Sequence, residues 1–129
     1  MGGSILLDTN AAIAYTAGDP RVQARIADSV AAFVSCVSLG ELHYGAHKSN
    51  RVEYNLARAE DIARTLPIIP CDEGTAAQYG IIKAALRVKG RPVPENDIWI
   101  AAIARQHALT LITRDVHFDE IADLTTEAW

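Results

Sequence analysis

The stretch Ile5-Leu6-Leu7-Asp8-Thr9-Asn10 joins three consecutive apolar residues to an acid and then to residues that suit the start of a helix. A short apolar run that ends at a polar residue is typical of a strand buried on both faces. The residues from Thr9 to Ala17 can then form a helix that stops at Gly18. This stretch therefore predicts a strand followed by a helix, with Asp8 at the carboxyl end of the strand.

Short apolar runs continue to alternate with helical periodicity along the rest of the chain. Helices are predicted over residues 19–29, 38–48, 51–65, 72–90 and 94–108. Further strands are predicted at 32–35, at 66–70 near a sheet edge, at 109–113 and at 124–126. This alternation predicts an α/β fold, a three-layer α/β/α arrangement around a mainly parallel sheet of four to five short strands. Because no linker or repeat interrupts it, we expect one domain over residues 1–129.

Composition limits the classes of function. A chain of 129 residues, half of them hydrophobic, can bury a core without disulfides or a structural metal. No apolar run approaches the ~18–20 residues of a membrane span, so we expect no membrane partner and a cytoplasmic location. Sixteen acids against twelve bases give a net charge of −4, which by itself argues against a nucleic-acid partner. Cys36 and Cys71 have no metal-site spacing and are predicted to be buried free thiols.

Four acids lie just beyond a predicted strand or in the first turn of a predicted helix, namely Asp8, Glu41, Asp97 and Asp115. Open parallel sheets bind ligands beyond the carboxyl ends of their strands, so the fold could bring these acids together. Each also has a purely structural reading. Asp8 could cap a helix, Ser38 and Glu41 could form a capping box, Asp97 could favour a helix dipole, and Asp115 could be a turn residue. Both readings stay open for each acid alone, whereas the whole set favours a site.

A cluster of carboxylates has a definite chemistry. Carboxylates held within a few ångströms of one another repel, so either some are protonated or a hard cation neutralises them. Oxygen ligands favour Mg²⁺ or Mn²⁺, ions that suit phosphate substrates. One or two such ions at this edge would support hydrolysis of a phosphodiester by an activated water.

Four segments in register carry a resemblance to a known family: Leu6-Leu7-Asp8-Thr9-Asn10, Ser38-Leu39-Gly40-Glu41-Leu42-His43-Tyr44-Gly45, Asn96-Asp97-Ile98-Trp99-Ile100-Ala101-Ala102 and Leu111-Ile112-Thr113-Arg114-Asp115. Together they closely resemble the PIN-domain family, and within it the VapC-type ribonuclease toxins of toxin–antitoxin pairs. The resemblance covers nearly the whole chain, from about residue 5 to residue 121. It implies an RNA endonuclease dependent on Mg²⁺ or Mn²⁺, with RNA as substrate, a VapB-like antitoxin as inhibitor, and a homodimer as the assembly.

The resemblance also assigns roles to the acids. Asp8, Glu41 and Asp97 match the three main acids of the family, and Asp115 matches the fourth, with Asp119 as an open alternative. Asp8 and Asp97 are expected to bind the first ion directly or through water. Glu41 would bind it or orient the attacking water, and Asp115 would complete the site or hold a second ion.

Three neutral residues are given supporting positions by the same resemblance. Thr9 and Asn10 match the polar pair after the first acid, and Thr113 matches a hydroxyl near the metal. Asn10 is expected to hold a carboxylate in place or to contact the scissile phosphate.

A cluster of bases offers a candidate RNA contact. Lys83, Arg87, Lys89 and Arg91 place four cations within nine positions without an intervening acid. They could form a rim that follows the phosphate backbone, or an ordinary solvated helix end whose cations suit the C-terminal dipole. Two divalent ions would add +4 at the predicted site, so the net charge of −4 does not exclude an RNA substrate.

Three other classes of function are considered as alternatives. A haloacid-dehalogenase-like phosphatase also has an acid after its first strand, but it needs D-x-D and position 10 is Asn10. A response-regulator receiver would need paired early acids and a lysine after a late strand, which the run Thr113-Arg114-Asp115 does not supply. A non-catalytic binding module on the same fold is the remaining alternative, and the presence of all four acids argues against it.

Overall fold

The computed structural model describes residues 3–129, which form one five-stranded sheet, six α-helices and a short 3₁₀-helix. The strands are β1 (Ser4–Leu7), β2 (Ala31–Ser35), β3 (Ile68–Ile69), β4 (Thr110–Ile112) and β5 (Thr126–Glu127). The helices are α1 (Thr9–Thr16), α2 (Pro20–Ala27), α3 (Cys36–His47), α4 (Val52–Thr65), α5 (Glu73–Lys89) and α6 (Glu95–Gln106), and the 3₁₀-helix is Val116–Glu120.

The sheet is parallel throughout, and its strand order is β3-β2-β1-β4-β5. The chain therefore builds β2 and β3 on one side of β1, and then returns to place β4 and β5 on the other side. The carboxyl ends of β1 and β4 thus lie side by side where the strand order reverses, the position at which open α/β sheets bind ligands. Pairing of Leu7 with Ile112 fixes this register.

Side chains of the central strand alternate between two apolar cores, one on each face of the sheet. Ile5 and Leu7 belong to the core that includes residues of α1, α2 and α4. Leu6 belongs to the core that includes residues of α5 and α6. Helix α6 contributes a run of buried residues, Ile100 to Ala104, as its nearly continuous apolar sequence predicts. The three-layer α/β/α prediction is confirmed.

Several predicted boundaries differ from the structure. Helix α3 begins at Cys36 rather than at position 38, because Ser35 ends β2 and its side chain accepts a hydrogen bond from the backbone N–H of Ser38. Strand β5 lies slightly later than predicted, at Thr126–Glu127. Tyr79 of α5 is half-buried and stacks on Trp99 with the ring centroids 4.0 Å apart. Within residues 3–129, no helix combines the length and the apolar character needed to span a membrane.

Candidate active site

Asp8 occupies the first position beyond β1 and is nearly fully buried. Its backbone N–H donates to the carbonyl of Ile112 across the sheet, which places Asp8 beside Thr113. One carboxylate oxygen caps α1 by accepting from the backbone N–H of Ala11 at 2.8 Å, and the other accepts from the hydroxyl of Thr113. The helix-capping reading of Asp8 is therefore correct, but it accounts for only one of the two oxygens.

Glu41 reaches the same edge from the second turn of α3. Since the helix begins at Cys36, the carboxylate is too far along it to serve a capping box, and that structural reading is excluded. Instead, the hydroxyl of Thr9 donates to Oε1 of Glu41, and it also lies 3.1 Å from the buried hydroxyl of Ser38. Thr9 thereby ties the start of α1 to α3.

Asp97 and Asp115 complete the edge from α6 and from the loop after β4. Asp97 lies in the first turn of α6, with a side chain that is 17% exposed. Asp115 caps the 3₁₀-helix by accepting from the backbone N–H of His117 at 2.9 Å. The imidazole Nδ1 of His117 lies 3.1 Å from Asp115 and 3.7 Å from Asp97, so it bridges the two carboxylates.

The electrostatics of these side chains show that all four predicted acids lie within interaction range of one another. Burial, followed by repulsion from Asp115 and Glu41, raises the pKa of Asp97 to about 6, with a smaller contribution from Asp8. Burial likewise raises the pKa of Asp8, and Asp115 and Glu41 raise it further. Hydrogen bonds from Thr113 and Ala11 oppose this rise by stabilising the charged form. The fold therefore concentrates negative charge at this edge of the sheet.

These donors fit a divalent cation. One ligand atom from each of Asp97, Asp115 and His117 lies within 4.8 Å of the other two. Asp8 and Glu41 add carboxylates that raise the pKa of Asp97, and carboxylate oxygens are the ligands that Mg²⁺ and Mn²⁺ prefer. A bound cation would supply the missing positive charge.

Comparisons with known proteins agree with this geometry. The sequence model of the PIN domain family matches residues 5–124. The chain belongs to the PIN-domain family. Among curated relatives of this PIN domain, Ribonuclease VapC2 of Haemophilus influenzae is 41% identical over 97 residues, which cover 74% of each chain. The tRNA(fMet)-specific endonuclease VapC of Shigella flexneri is 38% identical over 97 residues, again covering 74% of each chain.

Solved structures resemble this PIN domain over almost its full length. A chain in the crystal structure of DNA-bound VapBC from Salmonella typhimurium superposes with a TM-score of 0.89 at 32% identity, covering 100% of this chain and 99% of that one. A chain in VapBC2 from Rickettsia felis, bound to a DNA fragment from their promoter, gives a TM-score of 0.88 at 26% identity and covers 98% of both chains. The resemblance noted from the sequence is thus confirmed, and VapC ribonucleases are among the relatives of the chain.

The remaining predicted residues of the PIN domain are more scattered. Asn10 is exposed in the first turn of α1, and its side chain makes no hydrogen bond within residues 3–129. Asp119 is exposed on the 3₁₀-helix and lies outside the Asp97, Asp115 and His117 group, so the structure favours Asp115 as the fourth acid. The position of Asn10 neither supports nor contradicts its predicted role.

Three residues of the predicted basic rim, Lys83, Arg87 and Arg91, line a groove of about 440 Å³ at the end of α5, whereas Lys89 does not. Three of the four rim cations are paired with acids. Lys83 donates to Glu95 at 2.9 Å and to the hydroxyl of Tyr79. Lys89 and Arg91 both lie near the carboxylate of Glu120, at 3.2 and 3.9 Å. Arg87 lines the same groove, and an RNA contact by this group remains a prediction.

Two residues of the site were missed by sequence reasoning. His117 carries no local pattern, and only its position two residues after Asp115 hinted at it. Ser38 was considered only as a capping residue, whereas its buried hydroxyl lies 3.1 Å from the hydroxyl of Thr9, the residue that donates to Glu41.

Proposed function

We propose that this chain is a metal-dependent RNA endonuclease that acts as the toxin of a VapBC-type pair in the cytoplasm, with residues 1–129 as a single PIN-like domain. The observation that carries the proposal is the convergence of four mutually repelling carboxylates where the strand order reverses. The ribonuclease and endonuclease names of the curated relatives supply the reaction class.

Each acid is assigned a part in this reaction. Asp8, Asp97 and Asp115 would hold one or two Mg²⁺ or Mn²⁺ ions, and Glu41 would bind an ion or orient the attacking water. When bound, such an ion activates a water and stabilises charge on the phosphate and the leaving oxygen. Thr9 holds Glu41 by a hydrogen bond and so limits its rotamers.

Thr113 has a separate part in the proposed site. Its hydroxyl donates to Asp8, and it accepts a hydrogen bond at 3.0 Å from the backbone N–H of Asp115. A single side chain therefore positions two proposed ligands, one at the end of β1 and one after β4. Since water is the nucleophile, the products are expected to carry 5′-phosphate and 3′-hydroxyl ends, and the substrate 2′-hydroxyl takes no part.

The proposal is tested by incubating the purified chain with total RNA in Mn²⁺ or in EDTA and mapping the cut ends. We expect cleavage only with metal, and a loss of at least about 100-fold in Asp97→Asn and Asp115→Asn. Asp119→Asn is the matched control, because this exposed acid lies on the same segment outside the site, and it should change the rate by no more than about twofold. Metal-independent cleavage that leaves 2′,3′-cyclic phosphates would refute the mechanism, and loss of activity in Asp119→Asn alone would transfer the fourth role to Asp119.

A VapB-like antitoxin and a second copy of the chain are the proposed protein partners. The solved neighbours are VapBC complexes, which supports an antitoxin for this chain. An exposed stripe on α5, opposite its buried face, supports a homodimer and consists of Ala77, Ile81, Ala84 and Val88. Ile81 is 54% exposed and Val88 is 90% exposed, and both would be covered in a dimer through this stripe. Light scattering after size exclusion should give twice the chain mass, falling toward one chain mass in Ile81→Glu.

A further inference from the structure

The two cysteines of the chain, 35 positions apart, come together at the same edge of the sheet. Their sulfur atoms are 3.8 Å apart, Cys36 is half-buried and Cys71 is exposed. The sequence prediction of free thiols is confirmed, but the prediction that both are buried is wrong for Cys71.

The backbone explains this proximity. Strands β2 and β3 are parallel neighbours in which Ser35 pairs with Ile69. Cys36 is the next residue after Ser35, and Cys71 follows Ile69 by two positions, so both leave the sheet at adjacent carboxyl ends. Neighbouring strands lie about 4.8 Å apart, and the Cα atoms of disulfide-bonded cysteines are usually separated by about 4.4–6.8 Å. The adjacent strand ends and the 3.8 Å separation of the sulfur atoms therefore bring a disulfide within reach.

The local structure leaves room for the remaining movement. A disulfide requires a sulfur separation of about 2.05 Å, so the two atoms must approach by roughly 1.8 Å. Cys71 lies in the connection between β3 and α5, outside any helix or strand, where side-chain rotation and a small backbone shift disturb no ladder hydrogen bond. Cys36 is the first residue of α3, where the backbone N–H has no partner within the helix.

We propose that Cys36 and Cys71 form an oxidisable dithiol, a modification site at which a hydroperoxide converts the two thiols into a reversible disulfide. In the balanced reaction, the peroxide accepts two electrons and its oxygen–oxygen bond breaks. Both oxygen atoms then have the oxidation state of the oxygen in water. Each sulfur loses one electron, the two thiol protons leave with the oxygens, and a sulfur–sulfur bond replaces two sulfur–hydrogen bonds. A dithiol reductant reverses it by thiol–disulfide exchange.

The two sulfurs take different parts in this reaction. Burial and the neighbouring Cys36 sulfur raise the pKa of Cys71 to about 11, so Cys71 is a protonated thiol at neutral pH. We assign the attack on the peroxide to Cys36, because it is the first residue of α3, where the helix dipole and the unpaired backbone N–H groups stabilise negative charge. Cys36 becomes a sulfenic acid, and the other peroxide oxygen leaves as water from hydrogen peroxide or as an alcohol from an organic hydroperoxide. The Cys71 sulfur then attacks that sulfenic sulfur, and the sulfenic oxygen leaves as water with the thiol proton of Cys71.

The cysteine pair lies close to Glu41, one of the acids of the candidate active site. The proposed oxidation does not depend on the function of that site. Cys36 lines a depression of about 430 Å³ together with Gly40, Glu41, Tyr44 and Asn96. A disulfide would tie the start of α3, which carries Glu41, to the turn that precedes α5. It would also anchor the two-residue edge strand β3, which pairs only with β2.

The test treats the reduced full-length chain with hydrogen peroxide, blocks free thiols with iodoacetamide and maps peptides without reduction. We expect a mass loss of two hydrogens and a cross-linked pair of peptides containing Cys36 and Cys71, both reversed by dithiothreitol. The melting temperature should rise by roughly 10 °C, because the bond closes a loop of about 35 residues in the unfolded chain. The double variant Cys36→Ser/Cys71→Ser is the control and should show neither change.

The proposal would be overturned by separate oxidation of the two sulfurs to sulfinic or sulfonic acids, or by disulfides between chains. A fall in melting temperature on oxidation would also overturn it. The order of attack has its own readout in dimedone trapping of sulfenic acid. Cys71→Ser should be labelled at Cys36 faster than Cys36→Ser is labelled at Cys71. The reverse order would overturn the assignment of Cys36 as the attacking sulfur. Since peptide mapping requires no RNA cleavage, failure of this proposal is distinguishable from failure of the proposed nuclease function.

Discussion

Replacing Asp97 by asparagine is expected to stabilise the metal-free fold at neutral pH. Asp97 accepts no hydrogen bond within residues 3–129 and is held beside Asp115, Glu41 and Asp8, so asparagine removes a charge and breaks no hydrogen bond. The rise in its pKa from 3.8 to about 6 corresponds to roughly 3 kcal/mol of destabilisation when the carboxylate is ionised. The dipole of α6 favours a negative charge in the first turn by about 0.5 kcal/mol. A net gain of about 2 kcal/mol is therefore expected.

The pH dependence of stability follows from the difference between the folded-state and unfolded-state pKa values of Asp97. Because the folded-state pKa is above the unfolded one, the folded state binds the proton more tightly, so this group favours folding at low pH. That contribution is complete below about pH 4 and is lost as the pH rises through about 6. Between pH 7.5 and pH 5, Asp97 alone should add about 1.4 kcal/mol to the free energy of unfolding of the wild-type chain.

Urea unfolding in EDTA at pH 7.5 and at pH 5 measures both effects. Asp97→Asn should be more stable than the wild type at pH 7.5, and the difference should shrink at pH 5. Asp119→Asn, with an exposed acid on the neighbouring 3₁₀-helix, should stay within about 0.5 kcal/mol of the wild type at both values. If Asp97→Asn were no more stable than the wild type at pH 7.5, the reasoning that burial and the neighbouring acids destabilise the ionised Asp97 in the metal-free fold would be refuted.

Two further pairs of substitutions test the contacts around the site and along α5. Thr113→Val should lower the free energy of unfolding in urea by about 1–3 kcal/mol, because it leaves a buried oxygen of Asp8 without its hydrogen bond. Thr113→Ser should retain most of the stability. Equal stability of the wild type and both variants would contradict the role given to this hydroxyl. Gly80→Ala should raise the free energy of unfolding by about 0.5–1 kcal/mol, because an added Cβ meets nothing within 4 Å. Gly74→Ala should show no such gain, because its Cβ would lie 2.6 Å from Nε2 of Gln106 and would displace the hydrogen bond from Gln106 to Asp72. An equal rise in the melting temperatures of Gly80→Ala and Gly74→Ala would show that the contact with Gln106 does not affect stability.

Local sequence patterns were sufficient for the elements and for the acids of the site. Residues Ile5 to Leu7 form the predicted strand because only a strand can direct Ile5 and Leu7 into one core and Leu6 into the other. The four acids were found because each follows a strand end or begins the next segment, and parallel strands bring such positions to one edge. Their metal-binding and catalytic roles stay predictions.

Features that depend on strand order were not accessible from the sequence. The start of α3 was misplaced because Ser38 and Glu41 fit a capping box, whereas the cap is Ser35, whose side chain becomes available only where β2 ends. His117 joins the site through the fold of the loop after β4, which has no periodic signal. The cysteine pair requires β3 to lie beside β2, and no local pattern reports which strands are neighbours.

The central position of β1 has a consequence for the order in which the site can come into being during synthesis. Asp8 leaves the ribosome well before Thr113, the residue 105 positions later whose hydroxyl holds its second oxygen. Strand β4 can enter the sheet only after α6 has been made, and Asp115 follows it. A growing chain therefore carries an incomplete set of acids until Asp115 has been translated, so the proposed site cannot assemble before that point.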